Sequence, residues 1–64
     1  MKVKYDKEND ILTIRFSDDQ VMESDEDKPG IILDYNESGS IVGIEVLHAS
    51  KQFPQPMKVE YEVA

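Results

Sequence analysis

The chain has 64 residues, fourteen acidic against seven basic side chains, a formal net charge of −7 and no cysteine. This length allows one domain with a thin core, which rarely supplies more than about 3–5 kcal/mol of stability. With no cysteine and with His48 as the only histidine, a Cys/His zinc site is excluded, and we assign no cofactor. The acidic balance argues against nucleic-acid binding, which relies on Lys and Arg displacing counterions from phosphates, and is compatible with a basic protein partner.

The sequence contains no apolar run near the ~20 residues that a membrane span requires. The amino-terminal stretch MKVKYDKEND is charged and does not resemble a targeting segment. We therefore expect a cytoplasmic protein that does not enter the membrane.

The first part of the chain predicts a β-hairpin from residues 2–6 and 11–16. Apolar and polar residues alternate in both runs, which is typical of half-buried strands. If Tyr5 lies opposite Leu12, then Val3 lies opposite Ile14, and both apolar rows share one face. The polar loop between the runs suits carboxylates that accept backbone N–H groups.

Residues 17–28 are strongly acidic and predict a short strand around 20–24, followed by an exposed acidic loop ending at Pro29-Gly30. Four loop residues form a candidate partner-binding strip: Glu23, Asp25, Glu26 and Asp27. A solvated charge run is the simpler interpretation of the same residues. The alternative function is a small metal-dependent enzyme or metal-binding protein using this loop, but the EF-hand order is missing and we assign no metal ligand.

Residues 30–35 and 41–47 predict a second hairpin, in which Leu33 lies opposite Val42 and Ile31 opposite Ile44. The loop Asn36-Glu37-Ser38-Gly39 suits a type I turn with glycine in the left-handed region.

The outward side of this hairpin carries the second candidate binding feature. Ile32 and Ile41 are expected to lie near each other there, and an uncovered apolar patch usually marks an interface. Either the short helix and the tail cover one face or a second subunit does, and of these we expect a homo-oligomer, a dimer. Gly43 interrupts an apolar strand, which often marks a bulge or the close approach of a bulky group, and the expected neighbour is an aromatic ring from the first hairpin, such as Tyr5 or Phe16.

We assign no catalytic residues. Index sums place Asp34 opposite Ile41 and Glu45 opposite Gly30, so the two carboxylates are expected to be unpaired and without a pocket. His48 and Ser50 lack an orienting group and an oxyanion hole, and are expected to shape the junction between strand and helix.

After Leu47, residues 48–53 are long enough for one or two helical turns, which Pro54 and Pro56 prevent from continuing. Residues 57–64 then alternate again. The sequence therefore predicts a single β-rich domain over residues 1–53 and a tail over 54–64 that is strand-like, and available for exchange with a neighbour, or disordered.

The stretches VKYDKENDILTIRFSD and PGIILDYNESGSIVGIEVLHASK resemble the small bacterial and archaeal family catalogued as domain of unknown function 2283, or YuzE-like. The resemblance covers residues 2–51 and implies a small β-rich fold without an established activity. Some relatives are regarded as antitoxin-like partners of RNase-like toxins. Two departures are His48, where relatives often carry Asp, and residues 54–64, which lie outside the motif.

Together these features predict an α+β fold, a small antiparallel sheet of two hairpins and about four strands with one short helix after the last strand. The function we expect is that of a non-enzymatic protein-interaction module, an acidic antitoxin-like partner of a basic toxin-type protein.

Overall fold

The computed structural model describes residues 1–55 and 57–64. They form one five-stranded sheet in the order β1-β2-β5-β4-β3, in which every neighbouring pair is antiparallel. The elements are β1 (Lys2–Asp6), β2 (Ile11–Arg15), β3 (Glu23–Lys28), β4 (Ile31–Tyr35), β5 (Ile41–Leu47) and α1 (Ala49–Gln52). The small antiparallel sheet with one short helix at its end is confirmed, with five strands where about four were predicted.

The helix ends before the prolines, as the sequence predicts. Phe53 is extended, with φ −124° and ψ 153°, which is the conformation favoured by a residue that precedes proline. The prediction for Pro56 lies outside the described residues. Residues 57–64 form neither helix nor strand.

Strand β3 lies where an acidic loop was predicted, because the strand predicted around residues 20–24 instead runs over Glu23–Lys28. Glu23 pairs with Tyr35 and Lys28 with Ile31, with a bulge between Glu26 and Lys28. Every residue of β3 is exposed, so its low intrinsic strand preference is outweighed by backbone pairing with β4 on one side. The signal that sequence reasoning missed is the two-residue turn Pro29-Gly30, a short connection typical of hairpins.

The first hairpin has the predicted register, with Val3 opposite Ile14 and Tyr5 opposite Leu12. The carboxylate of Asp6 accepts hydrogen bonds from the backbone N–H of Asn9 at 3.2 Å and from its side-chain amide at 2.9 Å. These bonds fix the conformation of the four-residue loop between Asp6 and Ile11, and that length keeps the two apolar rows on one face.

The second hairpin has the predicted turn residues in a longer loop. The carbonyl of Asn36 accepts from the N–H of Gly39 at 3.0 Å, and Gly39 has a φ of 85°. The N–H of Asn36 also donates to the carbonyl of Ser40 at 2.9 Å, so Asn36 pairs with Ser40 and not with Gly39. The left-handed glycine thereby shifts the register by one residue.

The predicted pairing of the second hairpin was wrong by two positions. Leu33 pairs with Ile44, not with Val42, and Ile31 pairs with Val46, not with Ile44. A bulge between the pairs of Asp34 and Tyr35 adds a second one-residue shift to that of the turn. Because the total offset is even, the apolar rows remain on one face as predicted.

The core lies on this apolar face. Leu12, Val46 and Ala49 form its buried cluster, against which Ile31, Ile44 and Met57 pack. The helix and the start of the tail therefore cover one end of the sheet.

Truncating Leu12 to alanine tests how thin this core is. Leu12 is 7% exposed and sits in the buried cluster, so its loss should cost about 2–4 kcal/mol of unfolding free energy. In a domain with roughly 3–5 kcal/mol in total, Leu12→Ala should leave a large unfolded fraction in urea titrations followed by circular dichroism. Met22→Ala, at an exposed position, is the control and should unfold within about 0.5 kcal/mol of the wild type.

Candidate functional site

The first polar cluster joins the helix to the β1–β2 loop through Asp10. One carboxylate oxygen of Asp10 accepts from the Tyr5 hydroxyl at 2.7 Å and from the Ser50 backbone N–H at 2.9 Å. The other accepts from the Ser50 hydroxyl at 2.6 Å, and the Asp10 carbonyl accepts from the N–H of Ala49 at 3.0 Å. A residue forty positions away in sequence thus satisfies the free N–H groups at the start of α1.

The same bonds shift the ionisation of both side chains. Hydrogen bonds from Ser50 and then Tyr5 lower the pKa of Asp10 below its usual value, and the bond to Asp10 raises the pKa of Tyr5. Stability contributed by Asp10 is therefore present above the unfolded-state pKa of an aspartate and is lost as the pH falls through the lower folded value. The cluster acts as a structural anchor.

His48 and Ser50 shape the junction between strand and helix, as predicted. His48 has a φ of 53° and precedes the helix without a side-chain cap of its own. Its left-handed backbone turns the chain so that Ala49 and Ser50 meet Asp10.

The second polar cluster lies on the opposite face of the sheet, around Asp34. Asp34 is only 8% exposed, and the Ser24 hydroxyl donates to its carboxylate at 2.6 Å. Burial raises the pKa of Glu45, and hydrogen bonding to Asp34 and the charge of Asp34 act in the same direction. The expectation that these carboxylates are unpaired was wrong, because the shifted register places Asp34 opposite Gly43 and diagonal to Glu45.

Gly43 makes room for this carboxylate and not for an aromatic ring, which corrects the prediction. A Cβ at Gly43 would lie 3.6 Å from Oδ2 of Asp34 and 3.1 Å from the carbonyl oxygen of Ile14. A side chain there would therefore crowd the backbone of β2 and the acid pair together.

Basic side chains lie on the same face, on β1 and β2. A shallow cavity of about 260 Å³ is lined by Lys2, Lys4, Thr13 and Arg15, and Arg15 donates to the carbonyl oxygens of Ser17 and Asp19 at 3.2 and 3.1 Å. The face is thus divided into a basic half and a half that carries the acid pair.

Ser24 is oriented as a donor to Asp34, so its role is to stabilise a buried carboxylate.

The four acids of the predicted partner-binding strip lie on the edge strand β3. Glu23 and Asp25 pair with Tyr35 and Leu33, and Glu26 pairs with Ile32. Since side chains alternate along a strand, Glu23 and Asp25 lie on the apolar face, and Glu26 lies on the other. Oε2 of Glu26 accepts from the N–H of Gly30 at 2.9 Å.

The strip does not gather into a metal-binding geometry. Within residues 1–55 and 57–64, no group of three or more His, Cys, Asp or Glu side chains is arranged to hold a metal ion. The acids instead place negative charge on both faces of the exposed edge strand β3.

Ile32 and Ile41, the apolar part of the predicted interface, are not brought together. Ile32 pairs with Glu45, whereas Ile41 pairs with Tyr35 at the far end of the same ladder. Ile41 is 45% exposed and Ile32 is half-buried. The assumption that they form one patch was wrong, because the register is shifted.

Among residues 1–55 and 57–64, no helix is long and apolar enough to cross a lipid bilayer.

The sheet and its attached helix define a small α+β domain with one layer of strands. The family described as "Protein of unknown function (DUF2283)" matches residues 2–50, and the chain belongs to this family. An uncharacterized protein of Methanocaldococcus jannaschii is 40% identical over 53 residues, which cover 83% of this chain and 45% of that protein. The chain therefore spans less than half the length of that relative, and no solved structure matches it.

Replacing Ser50 by alanine tests the helix anchor. The change removes the 2.6 Å bond from the Ser50 hydroxyl to Asp10 and leaves the backbone N–H of residue 50 bonded to Asp10. It should lower the unfolding free energy by about 1 kcal/mol, the usual net contribution of one hydrogen bond. Urea unfolding monitored by circular dichroism measures the loss. Ser40→Ala is the matched control, since its hydroxyl makes one long contact of 3.5 Å. Equal effects of the two substitutions would contradict the anchoring role.

Replacing Glu45 by glutamine tests the acid pair through pH. Because the folded-state pKa of Glu45 is raised, its contribution is complete below the unfolded-state pKa and declines as the pH rises through the folded value. Glutamine keeps a donor to Asp34 at every pH. Glu45→Gln should therefore match the wild type near pH 4 and exceed it at pH 8 by up to about 1 kcal/mol, since Glu45 is partly exposed and water screens its charge. Glu37→Gln, in the exposed β4–β5 turn, should show no such pH-dependent gain.

Proposed function

We propose that this protein is a non-enzymatic protein-interaction module whose acidic edge strand β3 docks a basic protein partner, as an antitoxin-like protein would dock a toxin-type protein. The observation that carries the proposal is the position of the acids. Glu23, Asp25, Glu26 and Asp27 lie in six consecutive exposed strand residues at the edge of the sheet.

An edge strand offers unpaired backbone N–H and C=O groups to a second chain. β3 pairs with β4 on one side, and it is the last strand in the order of the sheet. A strand added to the free side would gain main-chain hydrogen bonds, which is the general basis of recognition by β-augmentation.

The charge of the strand selects the partner. Acids on both sides of β3 disfavour a neutral or acidic strand and attract one rich in Lys and Arg, so the same residues oppose self-association through this edge. The net charge of −7 acts in the same direction at longer range and raises the association rate of basic partners.

The distribution of polar groups supports binding over catalysis. The hydroxyl of Ser24 and the carboxylate of Asp34 are engaged with each other, and Asp10 is engaged by Tyr5 and Ser50. Each of these contacts stabilises the sheet or the helix.

A charge-neutralising variant tests the proposal. Glu23→Gln/Asp25→Asn/Asp27→Asn changes the net charge from −7 to −4 and leaves the Glu26–Gly30 bond intact. The probe is a synthetic peptide of alternating Lys and Val, titrated into labelled protein and followed by backbone amide shifts. The variant should bind at least ~10-fold more weakly, and binding by the wild type should weaken as salt is raised.

The control variant Glu8→Gln/Glu37→Gln/Glu62→Gln removes the same charge at other exposed positions. It should retain most of the affinity, and the largest amide shifts of the wild type should fall in β3. If the two variants lose affinity equally, or if the shifts fall elsewhere, net charge and not the edge strand accounts for binding, and the proposal fails.

A further inference from the structure

The apolar face of the sheet is only partly covered. From β1 to β4 its apolar side chains are Val3, Tyr5, Leu12, Ile14, Phe16, Val42, Ile44, Val46, Ile31, Leu33 and Tyr35. Of these only Leu12, Val42 and Val46 are buried, and Val3 and Phe16 remain 41% and 39% exposed. The helix and Met57 cover the end near Leu12, and the open part of the face is its β1 side, around Val3, Tyr5 and Phe16.

The total accessible surface area is also larger than expected for a compact monomer. The chain exposes 5259 Å², whereas a compact monomer of 7.3 kDa would expose about 4,200 Å². The surplus of about 1,000 Å² is close to the roughly 800 Å² that each partner contributes to a standard stable interface. The radius of gyration, 12.5 Å, likewise exceeds the ~11 Å of a compact chain of this length.

The tail supplies apolar side chains that match the open face. After Met57, which packs on the core cluster, Val59, Tyr61 and Val63 are 61%, 86% and 78% exposed. The intervening Lys58 and Glu60 form an ion pair at 2.9 Å. An extended segment with this alternation presents one apolar side to a surface and one polar side to water.

We propose that residues 58–64, the arm, cover the open apolar face of a second copy of this chain, and that the two copies exchange arms in a symmetric dimer. The arm starts at Met57, at the covered end of its own sheet, and then leaves that sheet, as the exposure of Tyr61 records. Extended, the arm reaches ~23 Å, and a five-stranded sheet is ~19 Å across, so it can cross a whole face.

A two-fold arrangement satisfies both copies with one set of contacts. The arm of each copy packs on the apolar face of the other copy, so both copies make the same contacts, which is the self-complementarity that an isologous interface requires. Glu23 and Asp25, at the β3 end of this face, lie at its rim, where water screens them. The dimer leaves the free side of β3 available, so it is independent of the proposed function.

Sedimentation equilibrium of the full chain is the first measurement. It should give twice the monomer mass of 7.3 kDa at micromolar concentration. The arm variant Val59→Asp/Val63→Asp should raise the dissociation constant at least ~100-fold, and its sheet should persist in circular dichroism because it changes only exposed side chains. Ser38→Asp/Ser40→Asp adds the same charge at the exposed β4–β5 turn and should leave the dimer unchanged.

Crosslinking distinguishes exchange from folding back. Because the chain has no cysteine, Tyr61→Cys in one copy and Val3→Cys in another can be joined by a short bis-maleimide. The mixture should yield crosslinked dimers that contain one copy of each. A monomeric wild type, a dimer insensitive to the arm variant, or a crosslink formed mainly within single chains that carry both cysteines would each overturn the proposal.

Discussion

The structure depends on strand connections that keep the apolar side chains of neighbouring strands on the same face of the sheet. A one-layer sheet has one apolar face, and its cover is a helix of four residues with the start of the tail, so a row turned to the other face would leave the core without partners. The first hairpin meets this constraint directly. The second meets it through two one-residue shifts, at Gly39 and at the bulge in β5, which together preserve the face while changing every partner.

The Asp10 anchor makes the thin cover effective. A helix of four residues is too short to be stable by itself. The hydrogen bonds that Ser50 and Ala49 donate to Asp10 hold it against the sheet. This places Ala49, which is fully buried, beside Leu12 and Val46. The position of one carboxylate in the first loop thus determines where the last element packs. In a small domain without disulfides, such a bond between distant segments does the work of a crosslink.

The two interaction surfaces that we propose have opposite character. The edge of β3 is acidic and exposed, whereas the open face is apolar and matched by the arm. They can be occupied together because β-augmentation extends the sheet in its plane and the arm lies on its face. The acid pair of Asp34 and Glu45 lies on the other face of the sheet, opposite the apolar face, where the absence of a side chain at Gly43 leaves it space.

The alternation of apolar residues determined the antiparallel sheet, the first register and the shared apolar face, because these follow from local periodicity and turn chemistry. The length of residues 48–53 and the prolines after them determined the short helix after β5. It did not determine β3, whose acidic side chains have low strand preference and which is held by backbone pairing with β4. Nor did it determine the Leu33–Ile44 register or the Asp34–Glu45 pair, since Gly43 is compatible with either a bulge or a bulky neighbour and does not fix the strand pairing. The contact between Asp10 and Ser50 was likewise decided by the tertiary structure, because residues forty positions apart meet only after the strands have brought both ends of the sheet together.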